Sequence, residues 1–189
     1  MRLVLASTSP RRRELLARLG VVPDRVVGPE IDEAPRPGEL PRPYALRLAE
    51  EKARAVAREA DEIVVAGDTT IGVGRRILNK PADETDHRAM LGLLSGRRHH
   101  CLSAVCVIGL DGKARVRVTD SVVAFKRLTD DEIDWYLRSG EGEGKAGGYA
   151  IQGRAESFVR FLSGSHSGVV GLPLFDTRAL LESSGYRFA

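Results

Sequence analysis

Apolar positions recur along this chain with two periods, and the switches between them mark the elements. Leu3-Val4-Leu5-Ala6 is a continuous apolar run, the pattern of a short buried strand, and it ends at Ser7-Thr8-Ser9. Pro10 stands where a helix tolerates a missing N–H, with Ser9 before it as N-cap. Leu15, Leu16 and Leu19 then form one apolar stripe, and Gly20 stops the helix. Arg25-Val26-Val27 reads as a second strand. Residues 28–43 are Pro/Gly-rich and read as a loop holding the acids Glu30, Asp32 and Glu33. Leu46, Ala49, Ala53, Val56 and Ala57 return at helical spacing across 44–60. Glu62–Ala66 predicts a third strand that runs into Gly67-Asp68-Thr69-Thr70, followed by a hairpin over Ile71–Leu78 that turns near Gly74. A helix is expected over about 84–95, ending at Gly96.

From His99 to Leu128 the pattern alternates around Asp111-Gly112, which predicts two long antiparallel strands joined by a tight turn. Thr129 caps a helix through Arg138, with Asp131 and Glu132 in its first turn. A glycine-dense segment, 140–153, precedes one more strand at Val159–Leu162 and a final helix at Leu174–Ser183. Helices alternating with strands early, and a β-hairpin in the middle, define the class as α/β with a mixed twisted sheet and flanking helices.

A length of 189 residues suits one domain, 1–189, with room for two lobes and a proper core. The net charge of +3 suits a local anionic ligand better than a nucleic-acid footprint, and aromatics at 5% leave little for base stacking along a strand. No apolar run reaches membrane-span length and the first 20 residues lack a signal-peptide core, so a cytoplasmic protein with no membrane partner is expected. Cys101 and Cys106 lie five apart in one predicted strand and so point to opposite faces, as buried thiols rather than a disulfide.

Four segments place polar groups at element ends, where α/β proteins bind ligands. At the first, the free N–H groups of a helix start, the Ser7 and Ser9 hydroxyls and Arg11, Arg12 and Arg13 converge as a cradle for a polyphosphate. Arginines oppose the macrodipole there, so they need another reason to be present. The second is the loop with Asp32 and Glu33; the third is Asp68-Thr69-Thr70 at a strand end, with Lys80 beyond the hairpin. The fourth is Gly144–Gly153, whose glycines admit a ligand to the backbone and whose Gln152 offers both donor and acceptor. Carboxylates from two loops suit a hard divalent cation that bridges phosphates. Each has a plain alternative. Asp68 can cap a turn, Glu33 can be a solvated acid, and Lys52 and Lys80 can be surface lysines. The glycine segment can be a linker, and His99 and His100 fit structural roles.

In order along the chain, LASTSPRR (5–12), I-D-E (31–33), R-L-A-x-x-K (47–52), A-G-D-T (66–69), I-L-N-K-P (77–81), K-A-G-G-Y-A-I-Q-G (145–153) and S-G-S-H-S-G-V-V-G-L-P-L (163–174) resemble the Maf family of nucleoside triphosphate pyrophosphatases. The resemblance implies the Maf/Ham1-type fold shared with inosine triphosphate pyrophosphatases, two lobes around a cleft. It implies cleavage between the α and β phosphates of a nucleoside triphosphate with Mg²⁺ or Mn²⁺. By motif, Asp68 is the proton acceptor or metal-organising acid and Glu33 supports the metal and the attacking water. Ser7, Arg12, Lys52 and Lys80 hold the phosphates. Arg11, Thr69 and Gln152 resemble the branch acting on dTTP and UTP, where a sister branch has tryptophan at the first position and glutamate in the last segment. A glutamine amide suits the O4/N3–H edge of uracil or thymine. The resemblance also implies nucleotide-pool sanitation and a homodimer. A competing reading is a nucleotide-binding regulator of septum formation without turnover, and the acid pair Glu33 and Asp68 discriminates against it, because a pure anion binder gains nothing from them.

Overall fold

The computed structural model describes residues 1–188, and its centre is a seven-stranded mixed sheet. Strand β1 (Arg2–Ala6) lies between β2 (Arg25–Val27) and the long β3 (Glu62–Val73), parallel to both. Beyond β3 the direction reverses. β5 (Arg98–Ile108), β6 (Ala114–Phe125) and β7 (Val159–Ser163) follow as antiparallel neighbours, and β4 (Arg76–Leu78) folds back onto the end of β3. Helices are α1 (Pro10–Arg18), α2 (Pro41–Arg54), α3 (Glu84–Leu94), α4 (Asp130–Leu137), the short α5 (His166–Val170) and α6 (Leu174–Ser183).

The two-residue period of the strands divides the core into two layers. Odd positions Leu3, Leu5, Ile63 and Val65 pack with Leu15, Leu16, Leu91, Leu94, Tyr136 and Leu181 from α1, α3, α4 and α6. Even positions Val4, Ala6, Val64 and Ala66 meet Ala45, Ala49 and Ala53 of α2. Alanine at i, i+4 and i+8 seats α2 directly on the sheet, and whatever stands beside that stripe is carried inside. Cys101 belongs to the first layer and Cys106 to the second, as their spacing requires, and burial pushes both thiols up to about 12.

Several boundaries differ from the sequence reading. α2 begins at Pro41, inside the expected loop, because Pro41 and Pro43 occupy the first turn, where no N–H is needed. It also stops at Arg54 rather than near residue 60. β3 continues as one strand to Val73, so Asp68 sits mid-strand rather than at a strand end. Ser9 has the N-cap conformation but its side chain makes no capping bond; Ser7 Oγ instead accepts the Ser9 N–H at 3.2 Å. The capping box at Thr129 and Glu132 is formed.

His99 is buried in the first layer, stacked edge-on to Phe125 and Tyr149, with Nε2 2.8 Å from the Tyr149 hydroxyl and Nδ1 without a partner. Burial, then the neighbouring His100, pushes its imidazole down to about 4. An unfolded chain protonates this group near its ordinary 6.5, well before the folded one does. Its contribution is therefore complete above pH 6.5 and is lost as pH falls towards 4, by about 3 kcal/mol in all. Urea unfolding at steps across that range should show this slope, and His99→Gln should flatten it; an equal slope in both proteins contradicts the assignment.

Candidate active site

The sheet leaves one stretch of β3 open along an edge. β1 pairs with it up to Ala66, β4 begins pairing at Ile71, and residues 67–70 between them are bonded only to β5 on the opposite side. The chain leaving β1 at Ser7 and the chain leaving β4 at Asn79 border this gap. A cavity of about 670 Å³ lies there. Ser7, Arg11, Arg12, Glu33, Lys52, Asp68, Thr69, Lys80 and Gln152 all line it. Ligand sites at the carboxyl ends of parallel strands follow the same geometry.

Strand parity decides which way each β3 side chain faces. Asp68 and Thr70 continue the even series of Val64 and Ala66, towards α2, and the Thr70 hydroxyl donates to Asp68 Oδ2 at 2.9 Å. Lys52 adjoins the alanine stripe of α2 and is 7% exposed, a buried cation and not a surface lysine. Its ammonium stands 2.8 Å from Asp68 Oδ1 and 3.0 Å from Glu33 Oε1. Lys80 meets the other Glu33 oxygen at 3.5 Å from the rim. Burial pushes the Glu33 carboxyl up, but Lys52 and Lys80 outweigh it and leave the group below its ordinary value. Tyr44 donates its hydroxyl to the Glu33 carbonyl at 2.7 Å and lies 3.2 Å from Asn79 Oδ1, tying the acidic loop to the exit of β4. Burial first, then the charges of Asp68 and Glu33, push that phenol up to about 12.

Thr69 faces the other layer, where the Arg12 guanidinium is fixed by three oxygens. Nε donates to the Gly171 carbonyl at 2.9 Å, one terminal nitrogen to Ser7 Oγ at 3.1 Å, and the other to Thr69 Oγ1 at 3.4 Å. None of these partners is charged, so the cation is oriented without being neutralised. Burial pulls its pKa down, and Asp68 opposes that. A Cβ at Gly67 would stand 3.1 Å from the Ala104 carbonyl and 3.2 Å from Arg12 Nε, so a side chain there would crowd the guanidinium. Ser103 supports the same corner: its hydroxyl donates to the Gly168 carbonyl and lies 3.4 Å from Thr69 Oγ1.

Arg11, Lys145, Ala146 and Gln152 also line the cavity. Arg11 makes no ion pair among the described residues, and burial lowers its pKa; Lys145 is lowered by burial and then by Arg11. The cavity thus holds five cationic side chains against two carboxylates. Arg13, expected to converge with its neighbours, is exposed and lies outside the cavity, because successive helical residues rotate by about 100°. The glycine-rich segment is packed, not a linker: its first 3₁₀ turn, Ala146–Gly148, bends at Gly147, φ +69°, whose Cβ would meet Ile71 at 2.8 Å. Tyr44, Asn79, Lys145 and Gly171 were assigned no role from sequence. Asn79, Lys145 and Gly171 fall inside the quoted motifs, whereas Tyr44 only opens the expected helix and no sequence signal marks it.

Among the described residues no three His, Cys, Asp or Glu side chains cluster as a metal cage. Glu33 and Asp68 nonetheless direct oxygens at one point, the Lys52 ammonium, so they already address positive charge together. Two carboxylates fit a hard cation such as Mg²⁺ or Mn²⁺ that keeps waters and takes its other oxygens from phosphates.

The family described as Maf-like protein matches residues 2–184. A dTTP/UTP pyrophosphatase of Sphingopyxis alaskensis is 74% identical over 97% of this chain and 96% of its own length. One of Novosphingobium aromaticivorans is 59% identical over 97% and 92%. Among solved structures, a nucleoside-triphosphatase / dITP/XTP pyrophosphatase of Mycobacterium abscessus aligns over 68% of this chain and 74% of its own at 20% identity and a TM-score of 0.43, too shallow a likeness to bear on the site.

Removing Lys52 leaves Asp68 inside the protein without its cation. Lys52→Met should therefore cost about 3 kcal/mol of folding stability, and adding Asp68→Asn should recover much of it. Urea denaturation of the two variants measures this; a Lys52→Met protein as stable as the parent contradicts the pairing.

Proposed function

This chain belongs to the Maf-like protein family, and on that premise we propose that it is a nucleoside triphosphate pyrophosphatase for dTTP, UTP and modified pyrimidine analogues, acting as one domain with a divalent cation. The observation that supports this reading most is the meeting of Ser7, Arg12, Glu33, Asp68 and Lys80, distant in sequence, around one cavity. The names of its close relatives point to the same substrates.

In this reading the triphosphate lies along the open edge of β3. The N–H groups at the start of α1 and the Ser7 hydroxyl receive phosphate oxygens, where the helix dipole favours negative charge. Arg12, held by neutral oxygens, keeps its charge directed at the ligand, and Lys80 reaches in from the rim. Glu33 and Asp68 would hold a divalent cation, which would supply neutralisation of the charge developing on the phosphates. Asp68 accepts the proton of the attacking water, its oxygens aimed by Lys52 and Thr70. The water oxygen bonds to the α phosphorus as the bond from that phosphorus to the α–β bridging oxygen breaks, so the nucleoside monophosphate forms and pyrophosphate leaves against Arg12 and Lys80. Lys52 acts first by orienting both acids and then by meeting phosphate.

The base lies against Arg11 and Gln152. Arg11 has only donors and suits carbonyl oxygens, while the Gln152 amide pairs with an O4/N3–H edge. Thr69 acts through the Arg12 corner rather than on the base. Removal of such nucleotides from the pool is the role this activity implies.

Pyrophosphate release should be measured over a panel of ordinary and modified triphosphates. Asp68→Asn should lose about 10³-fold in kcat while still binding nucleotide, and Gln152→Glu should weaken the preference for dTTP and UTP about tenfold. Undiminished turnover in Asp68→Asn removes Asp68 from the proton transfer, whereas nucleotide binding with no turnover in the parent protein favours a binding protein instead. An unchanged base preference in Gln152→Glu removes that residue from base recognition.

A further inference from the structure

Three side chains that do not line the cavity grip three successive residues of the glycine-rich segment, of which Tyr149 and Ala150 do line it. His87 of α3, 4% exposed, donates its Nε2–H to the Gly148 carbonyl at 2.6 Å. His99 Nε2 meets the Tyr149 hydroxyl at 2.8 Å, and the Tyr136 hydroxyl accepts the Ala150 N–H at 3.0 Å. His87 and Tyr136 stand edge to face with ring centroids 6.2 Å apart, so each buttresses the other. From the opposite side, Gly147 N–H donates to the Asn79 carbonyl at 3.1 Å.

The fit around His87 is built by omission of side chains. A Cβ at Gly148 would stand 2.5 Å from His87 Cδ2, and a Cβ at Gly142 would overlap the same ring. Two glycines from separate turns thus form the slot that the imidazole fills, and Gly148, at φ +69°, also needs its backbone freedom. Gln152 follows Gly148 by four residues and is itself exposed, so its placement depends on how firmly the preceding turn is held.

We propose that His87 is a positioning residue for base recognition: it anchors Gly148, and through it sets where Gln152 presents its amide in the cavity. This rests on the reading of Gln152 as the base-facing residue. His87 contacts neither phosphates nor acids, so its loss should alter which base is accepted before it alters the chemical step.

The test compares the full-length parent with His87→Phe, which keeps a ring without the donor, and His87→Gln, whose amide nitrogen can replace Nε2. Steady-state kinetics on dTTP, dCTP and dGTP are paired with amide hydrogen exchange over residues 146–152. His87→Phe should lower the dTTP-over-dCTP ratio of kcat/KM about tenfold, through KM for dTTP, with kcat within about twofold; His87→Gln should keep the parent ratio. Exchange at 148–152 should quicken at least tenfold in His87→Phe only. A lost melting temperature with unchanged ratio and exchange, or the same defect in both variants, overturns the proposal. If His87→Phe does not fold, Tyr136→Phe, which removes the grip on Ala150, must show the same lowered ratio and faster exchange, and its failure to do so overturns it. A parent protein that hydrolyses none of the three sinks the functional reading, and the exchange result alone then decides whether His87 holds the segment.

Discussion

The arrangement depends on one buried ammonium. Lys52 lies between Asp68 and Glu33, 2.8 and 3.0 Å away, and it is inside the protein because an alanine stripe brings α2 onto the sheet. Two acids facing one cavity repel each other and repel any polyphosphate. A lysine between them removes the first repulsion, and the surrounding Arg11, Arg12, Lys80 and Lys145 outweigh the second. The same two carboxylates then suit a cation that arrives with the nucleotide. Desolvating the ion pair is costly, which makes it poor evidence for stability and better evidence for a site that needs its acids held still.

The sheet supplies the space. Because β1 releases β3 at Ala66 and β4 takes it up only at Ile71, the open edge between is bordered by a helix N-terminus on one side and Asn79-Lys80 on the other. Alternation along β3 then separates the work: Asp68 and Thr70 face α2 and its Lys52, Thr69 the Arg12 corner. One strand therefore serves both halves of the cavity with neighbouring residues.

Much of this was legible in the sequence, for reasons that differ by residue. The strand–Ser–Pro–helix junction at Ser7–Arg12 is local chemistry, and it appears where its pattern places it. The hairpins at Gly74 and Asp111-Gly112 and the cap at Thr129 are local too. All nine expected site residues, Arg11 through Gln152 and Ser7 among them, border one cavity, although that meeting came from motif resemblance and not from spacing. What was not legible is long-range. Lys52 reads as a surface lysine because its burial depends on how closely α2 approaches the sheet. Asp68 reads as a strand-end residue because glycine and threonine resemble a turn until β5 pairs beside them. His87, Tyr44 and Tyr136 fall within expected helices with nothing in the sequence to mark them, and only the fold shows them tying down loops.

If Glu33 and Asp68 serve a cation that comes with the nucleotide, nucleotide affinity must depend on that cation and on both acids. Calorimetric titration of a non-hydrolysable dTTP analogue, with and without Mg²⁺, measures this in the parent and in Glu33→Gln/Asp68→Asn. Binding should be at least tenfold tighter with the cation in the parent, with no such dependence in the double variant. Equal affinity in the parent with and without Mg²⁺, or an undiminished dependence after both acids are removed, would contradict it.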